Sequence, residues 1–231
     1  MMSRKTNRCA TASAALASIV LILGGYTATH AEEAGKPDYA KMSPEALAEH
    51  LILESGSFDL DQPAQEGGTA RDRMIQDNLQ KLCSKVRNKP NAEQAGQIIA
   101  AARASIQYPE GEIPLGDWKK GGDLAWGGFG YRLAHNPDDH STRDPSGNCY
   151  NCHALSPQRT GGDLGPSLRG YGIIRGNTEA TRRFVYEMIY NPHAYFPCTH
   201  MPRMGAKGLL SQEAIADIMA YLLHPESPVN Q

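Results

Sequence analysis

Cys149-Tyr150-Asn151-Cys152-His153 constrains this chain more than any other stretch. In a C-x-x-C-H run two thiols are spaced to add to the two vinyl groups of one porphyrin, and the next residue puts an imidazole on its iron. Five cysteines and eight histidines in 231 residues would produce the run about 0.004 times by chance. A structural zinc site wants a second ligand pair of comparable spacing, and the sequence has no other C-x-x-C. A redox dithiol leaves His153 unexplained and wants a βαβ setting that is missing. The motif therefore predicts one covalently bound haem c, with thioethers at Cys149 and Cys152 and His153 as an axial ligand of the iron.

The amino terminus carries a targeting pattern. Arg4, Lys5 and Arg8 precede a mostly apolar run, Ala10–Leu23, and the small-residue site Thr29-His30-Ala31. The pattern predicts a signal peptide over residues 1–31, cleaved near Ala31, and hence a periplasmic protein with no membrane anchor after cleavage. The apolar run is short for a membrane span, and Cys9 lies before it, so it is not placed as a lipidation cysteine. Residues 32–231 would carry 20 Lys and Arg against 25 Asp and Glu. No basic stripe points to nucleic acid. Cys83 and Cys198 are the even remainder once the motif cysteines are set aside, and in an oxidising compartment they are expected to pair.

Residues 32–144 read as a helical extension and a Gly-rich wrapping loop. Ser43-Pro44-Glu45 starts a short helix. A second is expected from Thr69 through Met74, Ile75, Leu79, Leu82, Cys83 and Val86 to a stop at Asn88-Lys89-Pro90. A third runs from Asn91 past Ile98, Ala102 and Ile106 to Tyr108-Pro109. Pro109–Asp144 reads as irregular chain, with Trp118 and Trp126 in a segment that covers its neighbours.

Residues 145–231 read as the haem domain. Gly165-Pro166-Ser167-Leu168 follows the motif, and the Pro166 carbonyl is placed to hold the second ring nitrogen of His153. Asn177–Tyr190 is an amphipathic helix, with Phe184, Val185, Met188 and Ile189 inward and Arg182 and Arg183 outward. Ser211 caps a last helix with Ile215, Ile218, Met219, Leu222 and Leu223 in one stripe. The second axial ligand is sought between these helices, where Cys198, His200, Met201 and Met204 are the candidates. Met201 is favoured, because Met-Pro after a helix and loop resembles the pattern of His/Met cytochromes c, and a thioether opposite histidine raises the reduction potential.

These features together resemble a class I cytochrome c: the haem motif, Gly165–Gly170, the Asn191-Pro192 to Met201-Pro202 loop and the last helix. Asn191–Gly205 and the ending Pro225-Glu226-Ser227-Pro228-Val229-Asn230 are similar to SoxX, the monohaem subunit of the SoxAX sulfur-oxidation cytochromes. The resemblance implies an all-α fold, a class I cytochrome c-like haem domain with an N-terminal helical extension, and iron held by His153 and Met201. It also implies a heterodimer with a SoxA haem subunit that carries the catalytic centre. That complex couples thiosulfate oxidatively to a cysteine of the SoxYZ carrier, and SoxX passes the electrons to a small soluble cytochrome c. No catalytic residue is then expected on this chain. A free-standing periplasmic electron shuttle is the alternative. Ordinary cytochromes c place a helix with glycine and an aromatic before the haem motif. Asp138–Pro145 is polar and turn-like instead, so an extension helix would have to substitute.

Overall fold

The last helix, α8 (Gln212–Leu223), lies in the middle of the main hydrophobic core. Its expected stripe is buried, and Ala214, Ala216, Ala220 and Tyr221 are buried as well, so the helix is enclosed on nearly every side. Ser211 caps it by accepting from the Ala214 N–H, and the chain leaves at His224-Pro225, where proline cannot continue the ladder.

A computed structural model of the chain describes residues 37–133, 139 and 141–231. The expected leader, residues 1–31, lies outside them. Two units divide the chain at Ser43/Pro44. The first contributes a 3₁₀ turn, Tyr39–Lys41, with an ion pair of 2.8 Å between Lys41 and Asp38. The second, Pro44–Gln231, holds everything that follows. The described residues are helical, with two isolated bridges and no strand, and no described helix is long and apolar enough to cross a membrane.

Along the second unit the helices are α1 (Pro44–Glu49), α2 (Ala70–Met74), α3 (Asn78–Lys85), α4 (Ala92–Ala104), α5 (Trp118–Trp126), α6 (Tyr171–Arg175), α7 (Glu179–Tyr190) and α8. The single helix expected over Thr69–Val86 is two. Ile75 leaves the helical region (φ −70°, ψ 119°), and Asp77 opens α3 with a capping box shared with Gln80. Helix α4 is as expected, with Asn91 and Gln94 in a second capping box and Ile98 and Ala102 buried.

The larger correction concerns Pro109–Asp144. Residues 118–126 are not irregular: Asp117 caps α5 by accepting from the Lys119 and Lys120 N–H groups. Helix α5 crosses α8 at glycine. A Cβ on Gly121 would lie 1.9 Å from the carbonyl oxygen of Asp217, so the two backbones touch where side chains would normally intervene. At that crossing Gly116 N–H donates to Ala216 O at 3.0 Å and Asp117 N–H donates to the Asp217 carboxylate at 2.6 Å. Trp126 Nε1–H donates to the Tyr221 hydroxyl at 2.7 Å, and Trp118 stacks on His224. Glycine and tryptophan in α5 thus make its crossing with α8.

Helix α7 buries more than its apolar stripe. Tyr186, Glu187 and Tyr190 are inside with Val185 and Ile189, while Phe184 and Met188 are half-buried. Tyr186 donates to the Gln107 carbonyl, and Glu187 accepts from Tyr108 and Tyr195 hydroxyls, which lets a carboxylate sit in the interface with the chain after α4.

Candidate functional site

The C-x-x-C-H run is a 3₁₀ turn, Cys149–Asn151, entered through Asn148 in the left-handed region (φ 52°). The Cys152 and His153 N–H groups both donate to the Cys149 carbonyl. The chain then returns along itself. Gly162 N–H donates to Tyr150 O, Gly165 N–H to Cys152 O and Leu168 N–H to Ala154 O, at 2.7, 2.7 and 2.9 Å. Only glycine allows this approach, since a Cβ on Gly162 would sit 2.0 Å from Asn151 O.

The return brings Pro166 to the histidine. His153 Nδ1–H donates to Pro166 O at 2.7 Å, which fixes the tautomer and leaves Nε2 as the ring's free donor atom. A Cβ on Gly165 would lie 2.4 Å from His153 Cε1, so the backbone is packed flat against the ring. Leu155 is fully buried behind the motif. Tyr150, between the two cysteines, stacks on Trp126 with ring centroids 5.3 Å apart, and the Arg159 guanidinium lies 3.7 Å from the Trp126 centroid. The motif is thereby tied through α5 to α8.

Cys149 and Cys152 are free, half-buried thiols, and burial pushes Cys149 up to about 11. Cys83 and Cys198 form a disulfide, with Cα atoms 5.4 Å apart. The second axial candidates lie just beyond it. The Cys198 sulfur belongs to the disulfide, and His200 Nε2 accepts from Asn88 Nδ2–H at 3.4 Å, towards the extension. Met201 and Met204 are half-buried and pack on the core that also packs Cys149, Leu168 and Tyr195. By donor type these groups fit covalent haem: two thiols free for its vinyl groups, an imidazole with one nitrogen held and the other available for its iron, and two packed thioethers as further iron ligands.

No family model matches the chain. An uncharacterized lipoprotein of Aquifex aeolicus (strain VF5) is 43% identical over 158 residues, which is 68% of this chain and 73% of the relative. The chain belongs to the family of that lipoprotein.

The family's shared stretch of 158 residues is longer than the 87 of Pro145–Gln231, so the likeness takes in part of the extension as well. The extension in turn reaches the 198–207 loop at several points that sequence reasoning missed. Asp77 accepts from Arg203 Nη2 and from Lys207 Nζ, each at 2.8 Å. Partial burial opposes its ionisation, but Lys207, the Gln80 N–H and Arg203 more than offset this and hold the carboxyl far below the usual carboxylate range. His193 is buried in a 3₁₀ turn, Pro192–Ala194, and its Nδ1 accepts from the Cys198 N–H at 3.0 Å. Burial lowers its pKa, and the Arg203 charge lowers it further. A D-x-x-Q capping pattern at Asp77 was a signal for the break before α3. Nothing local marked His193, whose bond depends on Cys198 adopting a left-handed backbone (φ 59°).

Proposed function

We propose that this protein is a monohaem c-type cytochrome of the cell envelope, and that it acts as the electron-accepting subunit of a SoxAX-type complex. The observation that carries the reading is the bond from His153 Nδ1 to Pro166 O beside two unpaired thiols, while the other two described cysteines are paired. Cys149 and Cys152 would attach the haem, His153 would be one axial ligand, and Met201 would be the other. Bound haem would supply a one-electron iron couple. The protein's part is to hold the ligands, to set their basicity through Pro166, and to keep water out with the core around Leu155, Tyr190 and Ile215. The helical architecture, the α5–α8 crossing and the glycine-lined return after the motif support a class I cytochrome c fold.

In this reading the catalytic haem resides on a SoxA partner in a heterodimer. Thiosulfate is coupled there to a cysteine of the SoxYZ carrier, and a small soluble cytochrome c collects the electrons. The basic and apolar start of the chain, together with a relative named as a lipoprotein, supports an envelope location. Two measurements test the proposal. Haem staining of the exported protein after denaturing electrophoresis must show covalent attachment that is lost when both motif cysteines become alanine. Affinity purification from cells oxidising thiosulfate must recover a second haem-stained subunit. A protein that stains for haem but purifies alone would be the free-standing electron shuttle.

A further inference from the structure

Helix α3 grips the 198–207 loop at both ends. At the helix start Asp77 bonds Arg203 and Lys207, and near its end Cys83 is joined to Cys198. Just past the helix Asn88 bonds His200. The loop so enclosed carries Met201 and Met204. The apolar contacts of α3 form a small cluster of their own, Cys83, Ile98 and Cys198 with Leu79, Leu82 and Val86, separate from the main core. Beside that cluster a groove of about 480 Å³ opens between α3, α4 and Arg203–Lys207. A helix with so small a core stays on the loop chiefly through these specific bonds.

We infer that Asp77 is a positioning residue for the second axial ligand, and that with the Cys83–Cys198 disulfide it clamps the loop so that Met201 stays at the iron. The inference rests on the reading of His153 and Met201 as the ligand pair. Asp77 serves two roles that can be separated. Its Oδ1 accepts from the Gln80 N–H at 2.9 Å and so caps α3, while its Oδ2 takes the two cations. Asparagine caps a helix about as well as aspartate but has no charge for Arg203 and Lys207. Asp77→Asn therefore loosens the loop while leaving α3 formed.

The test titrates the oxidised holoprotein with imidazole, a small ligand that competes with a thioether for the sixth position, and follows the thioether-to-iron charge-transfer band. Asp77→Asn is expected to bind imidazole about threefold to fivefold tighter, the effect of losing a part-exposed ion pair of about 1 kcal/mol. Cys83→Ser with Cys198→Ser is expected to bind it at least about tenfold tighter, because each 1.4 kcal/mol of lost loop restraint is worth a factor of ten. Limited trypsin digestion at Arg203 and Lys207 is expected to accelerate in both variants. Glu66→Gln, which removes the ion pair with Arg73 in the same extension without touching the loop, is expected to match the wild type. Arg203→Gln repeats the Asp77 test from the other side if the double serine variant does not accumulate. A wild-type protein with the band, whose Asp77→Asn variant titrates and digests like it and whose Arg203→Gln variant titrates like it and is cut at Lys207 at the same rate, overturns the clamp and leaves the ligand reading intact. A haem-loaded wild type without the band overturns both.

Discussion

Replacing Gly121 with alanine puts a methyl carbon 1.9 Å from the Asp217 carbonyl oxygen and 2.4 Å from its carbonyl carbon. The obstacle is backbone inside α8, so no side chain can swing aside, and the helices must part by about 1.5 Å to reach ordinary contact at about 3.4 Å. Overpacking of this kind costs about 1–3 kcal/mol, and backbone against backbone belongs at the upper end. The helix itself gains about 1 kcal/mol from alanine over glycine, which leaves a net loss of about 2 kcal/mol. With a urea slope of about 2 kcal/mol/M the unfolding midpoint falls by about 1 M. Gly96 is the internal control. It lies inside α4, a Cβ there meets nothing within 4 Å, and alanine should raise stability by about 0.5–1 kcal/mol. Equilibrium urea unfolding of the two variants, followed by circular dichroism, should move the midpoint in opposite directions. If Gly121→Ala is as stable as the wild type, α5 does not cross α8 at this residue, and the packing described for residues 116–126 is wrong.

Other expectations concern the site. Gly165→Ala drives a methyl into the His153 ring and is expected to cut covalent haem yield severalfold on stained gels, while Gly96→Ala, which meets nothing within 4 Å, should leave the yield unchanged. Met201→Ala is expected to abolish the thioether charge-transfer band and Met204→Ala to retain it, and the reverse pattern would move the ligand three residues on. Acid should destabilise the protein in two stages. His193 has a folded pKa below its ordinary 6.5, so the unfolded chain takes the proton first and stability falls as pH drops from about 6.5 through the folded value. Asp77 has a folded pKa below its ordinary 3.8, so its contribution is present above that pH and is lost only as pH falls below it. Urea midpoints measured from pH 7 to about pH 2 should show His193→Gln removing the upper stage, with the lower stage flattened in Asp77→Asn.

What the sequence revealed and what it hid divide by the range of the interaction. Pro166 lies thirteen residues after His153, and the bond between them follows from a local return of the chain that glycines at 161, 162 and 165 announce. The apolar stripe of α8 was equally plain. Cysteine parity and compartment sufficed to pair Cys83 with Cys198 across 115 positions, although no local pattern joins them. Helix α5 was hidden because Gly121-Gly122 lowers helix propensity and reads as loop, whereas those glycines are there to let α8 approach. Tertiary contact, not propensity, sustains that helix. The break at Ile75–Asp77 was hidden for the opposite reason, since Met74, Ile75, Leu79 and Leu82 keep helical spacing straight through it.

The Cys83–Cys198 bond closes a ring around the haem motif, and that has a consequence for how the molecule is made. After Cys9, in the expected leader, Cys83 is synthesised first, Cys149 and Cys152 next, and its true partner last. In the proposed reading the chain matures in an oxidising compartment, where oxidation in order of emergence would join Cys83 to Cys149, or Cys149 to Cys152, and either product would remove a thiol that the porphyrin needs. Maturation would then require a reducing step that reopens the early pairs, with the ring closed only after haem attachment. Under that reading, cells short of thiol reductant there would accumulate haem-free chains with scrambled disulfides.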